Sequence, residues 1–105
     1  MKYLRLIIMF DLPVETSSEK RAYRKFVKFL TTEGYVRLQY SIYSKLVFNS
    51  TTLKYTLEKL KIVVPSKGLI QTLVVTENQF SNMKYIVGEP PKGHLGLSSE
   101  RVIEL

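Results

Sequence analysis

The first strong pattern is an apolar run from Leu6 to Phe10 that ends in Asp11 and Pro13. Five consecutive apolar side chains leave no polar face, which is typical of a strand buried on both sides of a sheet, although a short buried helix shows the same pattern. Pro13 has no backbone N–H to donate to a ladder, so the strand should end near Leu12. Asp11 is therefore predicted to lie at the carboxyl end of a central strand.

A helix is predicted from Thr16 to about Thr32, because the segment Thr16-Ser17-Ser18-Glu19 has the sequence of a capping box. Its apolar side chains fill an arc of roughly 160° and its cations an opposite arc of roughly 140°. No acid lies between Lys20 and Leu30, so ion pairs within the helix cannot neutralise the cationic face. The cations are Lys20, Arg21, Arg24, Lys25 and Lys28.

Period-two alternation follows and predicts β structure with one buried face. Arg37 and Lys45 are expected on the polar face. The alternation covers thirteen residues, longer than the usual strand of about 5 to 6, so we expect a kink or tight reversal near Ser41 to Ser44 that gives two strands. The apolar positions expected to be buried are Val36, Leu38, Tyr40, Ile42, Leu46 and Phe48.

A second helix should start at the cap formed by Asn49 and Ser50 and stop before Pro65. Lys54 and Glu58 are spaced to form an ion pair, so we interpret this helix as structural. Its narrow apolar stripe consists of Leu53, Leu57, Leu60 and Val64.

Three further segments complete the core pattern. The run from Leu69 to Thr76 is β-rich and should join the sheet. The polar segment from Thr76 to Asn82 has turn or short-helix chemistry, and Met83 to Val87 is predicted to form another short strand.

The composition changes beyond Gly88, where Glu89 to Gly96 predicts a loop or linker that carries His94, the only histidine. A lone loop histidine with no neighbouring carboxylate is a weak candidate for a metal ligand or catalyst. The last residues are strand-like and should either pair with another sheet edge or fold back on their own sheet. They are Arg101, Val102, Ile103, Glu104 and Leu105.

This order predicts an α+β protein with the ferredoxin-like split βαβ fold (βαββαβ) and a short C-terminal extra strand. We expect the ferredoxin-like domain at residues 1–88, and a linker with a C-terminal docking strand at residues 89–105. An RNA-recognition-motif module has a similar layout, but its glycine-aromatic signature is missing from the internal strands.

Charge adds the clearest functional clue. The chain has 105 residues, a net charge of +7 and a pI of about 9.7, which favours a polyanionic partner, with nucleic acid ahead of an anionic membrane or a merely solvated basic surface. We expect the cationic helix face to contact phosphates, and Arg37 and Lys45 less strongly. No segment resembles a membrane span or signal peptide, and the absence of cysteine suits a cytoplasmic protein.

Asp11 is the chain's only aspartate, and its position has two interpretations. Ligands commonly meet open sheets at the carboxyl ends of strands, which makes it a candidate site residue. Alternatively, its carboxylate accepts backbone N–H groups in the turn toward the next helix. The residues alone do not separate these two readings.

Several segments together resemble the small CRISPR adaptation protein, the second of the two universal spacer-acquisition subunits, and most nearly its type II versions. The resemblance covers about Leu6 to Met83, with a looser match in the last five residues. The segments that carry it are Ile7 to Pro13, Arg21 to Phe26, Lys28 to Leu30, Gln39 to Leu46 and Thr76 to Phe80.

The resemblance implies a symmetric homodimer that sits between two dimers of the CRISPR integrase subunit, forming a heterohexamer that holds duplex DNA for insertion into the CRISPR array. It also implies a magnesium-dependent or manganese-dependent endonuclease activity, with Asp11 as metal ligand and catalytic residue. Phe10 stands where many members have tyrosine, so a hydroxyl beside the aspartate is absent here.

The residues themselves favour holding DNA over cutting it. One carboxylate per chain is a poor magnesium site unless two-fold symmetry brings two copies of Asp11 together. The alternatives are a metal-dependent ribonuclease that resembles toxin-type enzymes, and a general RNA-binding module.

Overall fold

The computed structural model describes residues 3–91 and contains one sheet with two long helices on one face. The strands are β1 (Leu4–Asp11), β2 (Val36–Gln39), β3 (Ile42–Val47) and β4 (Leu69–Thr76). The helices are α1 (Ser17–Thr32), α2 (Ser50–Val63) and α3 (Glu77–Ser81). The strand order is β2-β3-β1-β4, and every neighbouring pair is antiparallel. This α+β architecture is compatible with the predicted ferredoxin-like fold.

The two long helices begin where their caps require. The Thr16 hydroxyl accepts the Glu19 N–H at 3.1 Å, while the Glu19 carboxylate accepts the Thr16 N–H at 3.0 Å, so the predicted capping box is present. Asn49 caps α2 by accepting the Thr52 N–H at 2.8 Å. Gly34 follows α1 with a left-handed φ of 90°.

The core lies between the sheet and the inner faces of α1 and α2. Phe26 and Leu30 from α1 and Leu60 from α2 pack with alternate residues of β1. The buried β1 residues are Leu6, Ile8 and Phe10. The other face of β1 is only half-buried at Ile7 and Met9, so the prediction of a strand buried on both sides was wrong for this face.

The predicted reversal near Ser41 is confirmed, and Ser41 adopts a left-handed φ of 68°. The predicted burial of the alternating positions was wrong in part, because pairing with β1 sets the faces of β3. Tyr43 pairs with Ile8 and is buried on the helix side. Tyr40 and Phe48 are instead 67% and 54% exposed.

Three other expectations fare differently. The short helix between Thr76 and Asn82 is confirmed as α3. The predicted strand from Met83 to Val87 was wrong: no strand forms there in the described range, and Ile86 and Val87 are each 90% exposed, so their apolar character does not reflect burial in the sheet. The predicted linker and docking strand fall largely on residues 92–105. This range includes His94 and Arg101 to Leu105, and it lies outside the described residues.

A buried ion pair that the sequence did not reveal holds α3 against β1. The Arg5 guanidinium donates to both carboxylate oxygens of Glu77, at 2.8 and 2.7 Å, and lies 4.5 Å from the centre of the Phe80 ring. Removing one partner of such a buried pair is costly because it leaves the other charge unpaired. None of the helices in the described range has the length and apolar character that a membrane crossing needs.

Candidate nucleic-acid interface

The outer face of α1 carries the largest group of cations that the helix periodicity predicts. All five side chains are exposed: Lys20, Arg21, Arg24, Lys25 and Lys28. None of them forms an ion pair within residues 3–91. Phe26 and Leu30 are buried on the inner face, which fixes the rotation of the helix and keeps the cations in solvent. We call this group the α1 cationic face.

Glu19, the acid nearest in sequence to the α1 cationic face, caps the start of the helix. The carboxylate of Glu19 accepts the backbone N–H groups of Thr16 and Glu15, and it lies 3.9 Å from Lys67. The bond from the Thr16 backbone is the main cause that lowers the pKa of this carboxyl group. Glu19 therefore remains ionised while serving as a cap rather than as a partner of the neighbouring cations.

One of the three lysines of α2 is paired with a carboxylate. Lys59 of α2 lies 2.8 Å from Glu33, and their hydrogen bond lowers the pKa of Glu33 and raises that of Lys59. The ion pair that the spacing of Lys54 and Glu58 predicts is not formed in the described part of the chain. Exposed pairs of this kind add little stability, yet they locally cancel charge.

The two strand cations lie against different aromatic rings. Arg37 of β2 is exposed, and its guanidinium lies 5.6 Å from the centre of the Tyr40 ring. Lys45 is half-buried in β3, with its ammonium 5.4 Å from the centre of the Tyr35 ring. Burial, and then the charge of Glu33, raise the pKa of Tyr35 to about 12. Arg37 pairs with Tyr43 and Lys45 pairs with Leu6, and both partners are buried on the helix side of the sheet. The expectation that these two cations project from the polar face was therefore wrong.

Asp11 is exposed at the end of β1, opposite Leu69 of β4. Gly68 allows the two strands to meet here: a Cβ at Gly68 would lie 2.7 Å from the Asp11 carbonyl oxygen, and its φ is +98°. Only glycine tolerates both conditions without strain. This close approach depends on the fold and not on the local sequence.

The chemistry around Asp11 does not by itself fit a magnesium site. Within residues 3–91, no three or more histidine, cysteine, aspartate or glutamate side chains stand together where they could hold a metal ion. Magnesium requires octahedral oxygen coordination and is usually held by one or two carboxylates together with water and substrate phosphates. A single chain offers Asp11 alone, so the described residues support no catalytic step through a metal.

An aromatic cluster that the sequence did not predict lies at the same end of the sheet. The Phe10 ring contacts Tyr23, Phe26 and Tyr43, with centroids 6.2, 5.2 and 5.8 Å away. Tyr23 continues the cluster to Tyr40, whose ring centre is 6.3 Å away at an interplanar angle of 23°. Burial raises the pKa of Tyr23, and the hydroxyl of Tyr40 raises it further.

The comparisons with known proteins agree with the resemblance seen in the sequence. The family model of the CRISPR associated protein Cas2 matches residues 4–83. The chain is 42% identical over 102 residues to a CRISPR-associated endoribonuclease Cas2 of Ligilactobacillus salivarius, covering 97% of this chain and 100% of that protein. A protein of the same name from Streptococcus mutans is 48% identical over 86 residues, covering 82% and 79% of the two chains. One from Treponema denticola is 37% identical over 102 residues, covering 97% and 100%.

Proposed function

Because the chain belongs to the CRISPR-associated Cas2 family, we propose that it is a subunit of the CRISPR adaptation integrase complex that binds and positions duplex spacer DNA for insertion into the CRISPR array. The observation that carries this proposal is the α1 cationic face, whose five exposed cations have no carboxylate partner within residues 3–91. Such cations release counterions when they neutralise phosphates, and this is the main source of sequence-independent affinity for DNA.

The layout of the cations suits a backbone contact. From Lys20 to Lys28 the helix rises about 12 Å, a length over which duplex DNA presents several phosphates. These Lys and Arg side chains stand on an exposed helix surface, and the proposed contacts are to phosphates, which position a duplex without reading its sequence. Arg37 adds a cation near this helix, since its partner Tyr40 stacks with Tyr23 of α1.

We propose that two copies form a symmetric homodimer through the sheet side opposite α1 and α2. The register places Leu73 beside Ile7, and Leu69 beside Asp11, on that side. Leu69 and Leu73 are 57% and 52% exposed, which is apolar surface that a second copy could bury. The proposed assembly is a heterohexamer of one such dimer with two dimers of the integrase subunit, docked in part through Arg101, Val102, Ile103 and Leu105, and the proposed setting is the cytoplasm.

The relatives named endoribonuclease support a second candidate function, phosphodiester cleavage with magnesium or manganese. We propose that any such ion is held only when two chains each contribute Asp11, because one carboxylate does not fit the requirement of the ion. When bound, a divalent ion would polarise a phosphate and lower the pKa of a bound water. Asp11 would be the ligand and the catalytic residue, and binding of DNA would not depend on it.

The binding proposal is tested with a matched pair of variants and a fluorescently labelled duplex. The variant Arg24→Ala/Lys28→Ala removes two contacts and should weaken binding about 10-fold or more at low salt. Lys54→Ala/Lys61→Ala removes the same charge from α2 and should change affinity by less than about threefold. Equal losses in both variants would show that net charge alone, and not the α1 cationic face, governs binding.

The cleavage proposal is tested with Asp11→Asn. The wild type should cut RNA or DNA only when magnesium or manganese is present, and Asp11→Asn should lose this activity while its duplex affinity stays within about twofold of the wild type. Cleavage by Asp11→Asn at the wild-type rate would remove Asp11 from the reaction. Spacer acquisition supported by Asp11→Asn would show that hydrolysis is dispensable for the adaptation role.

A further inference from the structure

Tyr40 is an exposed aromatic side chain that the fold holds in a defined place. The residue is 67% exposed at the turn between β2 and β3. The guanidinium of Arg37 lies 5.6 Å from its centre, and the Tyr23 ring lies nearly parallel to it at 6.3 Å. A centroid separation of this size leaves the two rings offset, and much of the Tyr40 ring remains open to solvent.

The turn that carries Tyr40 is tied to the end of β1. The Phe10 backbone N–H donates to the Ser41 carbonyl oxygen at 3.0 Å, and Ser41 adopts the left-handed conformation that reverses the chain. Tyr23 packs behind Tyr40, and the centre of its ring lies 6.2 Å from the centre of the ring of the core residue Phe10. The ring is therefore connected to the hydrophobic core through Tyr23 and through the turn, and little entropy remains to be lost when a ligand stacks on it.

The surroundings of Tyr40 are those of a surface that binds nucleobases. Tyr23 follows Lys20 by three positions on α1, so its ring borders the α1 cationic face. Every nucleobase has a π-face that stacks on an aromatic side chain without regard to sequence, and an arginine plane stacks in the same way. Within a duplex the bases already stack on each other, so only an unpaired base is free to use such a surface.

We propose that Tyr40, backed by Tyr23 and flanked by Arg37, is a stacking site for an unpaired nucleobase of single-stranded DNA or RNA that follows the α1 cationic face. The site rests on the proposed function only in that α1 brings the phosphates close. The surface would then bind single strands, or the single-stranded ends of a duplex, near Asp11 in addition to duplex phosphates.

The test uses the full chain and single strands of DNA and of RNA that carry the fluorescent base aminopurine, whose emission is quenched when it stacks. Tyr40→Leu should abolish the quenching and lower single-strand affinity about 5- to 150-fold, the range expected for loss of one stacking aromatic. Tyr40→Phe keeps the ring and should retain both. Tyr55→Leu is the matched control, because Tyr55 is 70% exposed on α2 and takes part in no ring stack in the described range.

The outcomes separate this proposal from the one before it. Wild-type affinity and quenching in Tyr40→Leu would overturn the stacking site, as would equal losses of affinity in Tyr40→Leu and Tyr55→Leu. Duplex affinity should stay within about twofold of the wild type in Tyr40→Leu, since a duplex has no free base to stack. If Arg24→Ala/Lys28→Ala leaves duplex binding intact, the duplex proposal fails while the quenching signal still reports on Tyr40.

A second measurement covers the case in which Tyr40→Leu does not fold. Single strands that contain iodouracil form photocrosslinks with an aromatic ring on which that base stacks. Mass spectrometry of the irradiated wild-type complex should place the crosslink on Tyr40, and on DNA or RNA according to which strand is the ligand. A crosslink on Tyr55, or none on Tyr40, would overturn the proposal.

Discussion

The helices α1 and α2 cover the same side of one sheet, yet their outer surfaces have different chemistry. They are 16 and 14 residues long, and both supply buried side chains to one core cluster. The outer side of α1 presents five cations and no acid among them. The outer side of α2 mixes cations with exposed Tyr55 and Ile62, and Lys59 is tied to Glu33.

This difference shows why net charge is a poor guide to a binding surface. Of the +7 charge of the chain, the part that can attract phosphate is the part without a carboxylate within contact distance. Among the described residues the largest group of such cations lies on α1, where Glu19, the one acid of the first turn, is engaged as a cap. Four predictions test whether the two helices are alike inside and different outside.

The largest effect is expected inside, where the helices should behave alike. Phe26 and Leu60 are 1% and 4% exposed. Phe26→Ala should lower the free energy of unfolding by about 3 to 5 kcal/mol and Leu60→Ala by about 2 to 5 kcal/mol, because each leaves a cavity. Urea denaturation curves, fitted with one common m-value, give both changes in the free energy of unfolding. If Leu60→Ala left the free energy of unfolding unchanged, α2 would not be docked in the core as described.

Charge-reversal variants should show the largest difference in duplex affinity between the outer faces of α1 and α2. Arg24→Glu/Lys28→Glu should lower duplex affinity by about 100-fold or more, because two attractive contacts become repulsive. Lys54→Glu/Lys61→Glu makes the same change of net charge on α2 and should cost less than about fivefold. Fluorescence anisotropy at one salt concentration compares them. A larger loss of affinity from the α2 reversal would mean that the duplex binds α2 and not the α1 cationic face.

The helix caps should differ by a smaller amount. The cap of α1 is reciprocal, with one bond accepted by Thr16 and others by Glu19, whereas Asn49 makes one side-chain bond for α2. Thr16→Ala/Glu19→Ala, which removes both halves of the reciprocal cap, should cost about 1 to 2 kcal/mol of stability, and Asn49→Ala about 0.5 to 1 kcal/mol. Denaturant midpoints of the two variants, measured together, give the order. A costlier Asn49→Ala would contradict the reciprocal bonding at Thr16.

The smallest effect concerns the pair that neutralises Lys59. Lys59 lowers the pKa of Glu33 below its ordinary 4.5, so the folded chain binds this proton less tightly than the unfolded chain does. The stabilisation is therefore present above about pH 4.5 and is lost as the pH falls through the lowered pKa. Denaturant midpoints across this acid range should fall less steeply in Glu33→Gln than in the wild type. Identical pH profiles would show that the pair contributes nothing.

The sequence predicts what local periodicity decides. The limits of α1, its capping box and its cationic face all depend on residues within a few turns of each other. The reversal at Ser41 and the short helix after Thr76 are also readable, because strand length and capping chemistry are local signals. For the same reason the best-supported part of the candidate interface could be found before the fold was known.

Features that depend on distant pairing could not be predicted. Arg5 and Glu77 are 72 positions apart, and nothing near either residue indicates the partner. The face of β3 that is buried depends on the register of Tyr43 against Ile8, which a period of two leaves undetermined. Tyr40 was assigned to the buried face for this reason, although its ring is among the most exposed aromatic groups of the described chain.

The dependence of duplex affinity on salt tests the central claim most directly. Each phosphate contact contributes about 0.9 to the slope of log affinity against log salt concentration, so Arg24→Ala/Lys28→Ala should reduce that slope by about 1.8 relative to the wild type. The control Lys54→Ala/Lys61→Ala should keep the wild-type slope. An unchanged slope in the α1 variant, or an equal reduction in the control, would contradict the assignment of phosphate binding to the α1 cationic face.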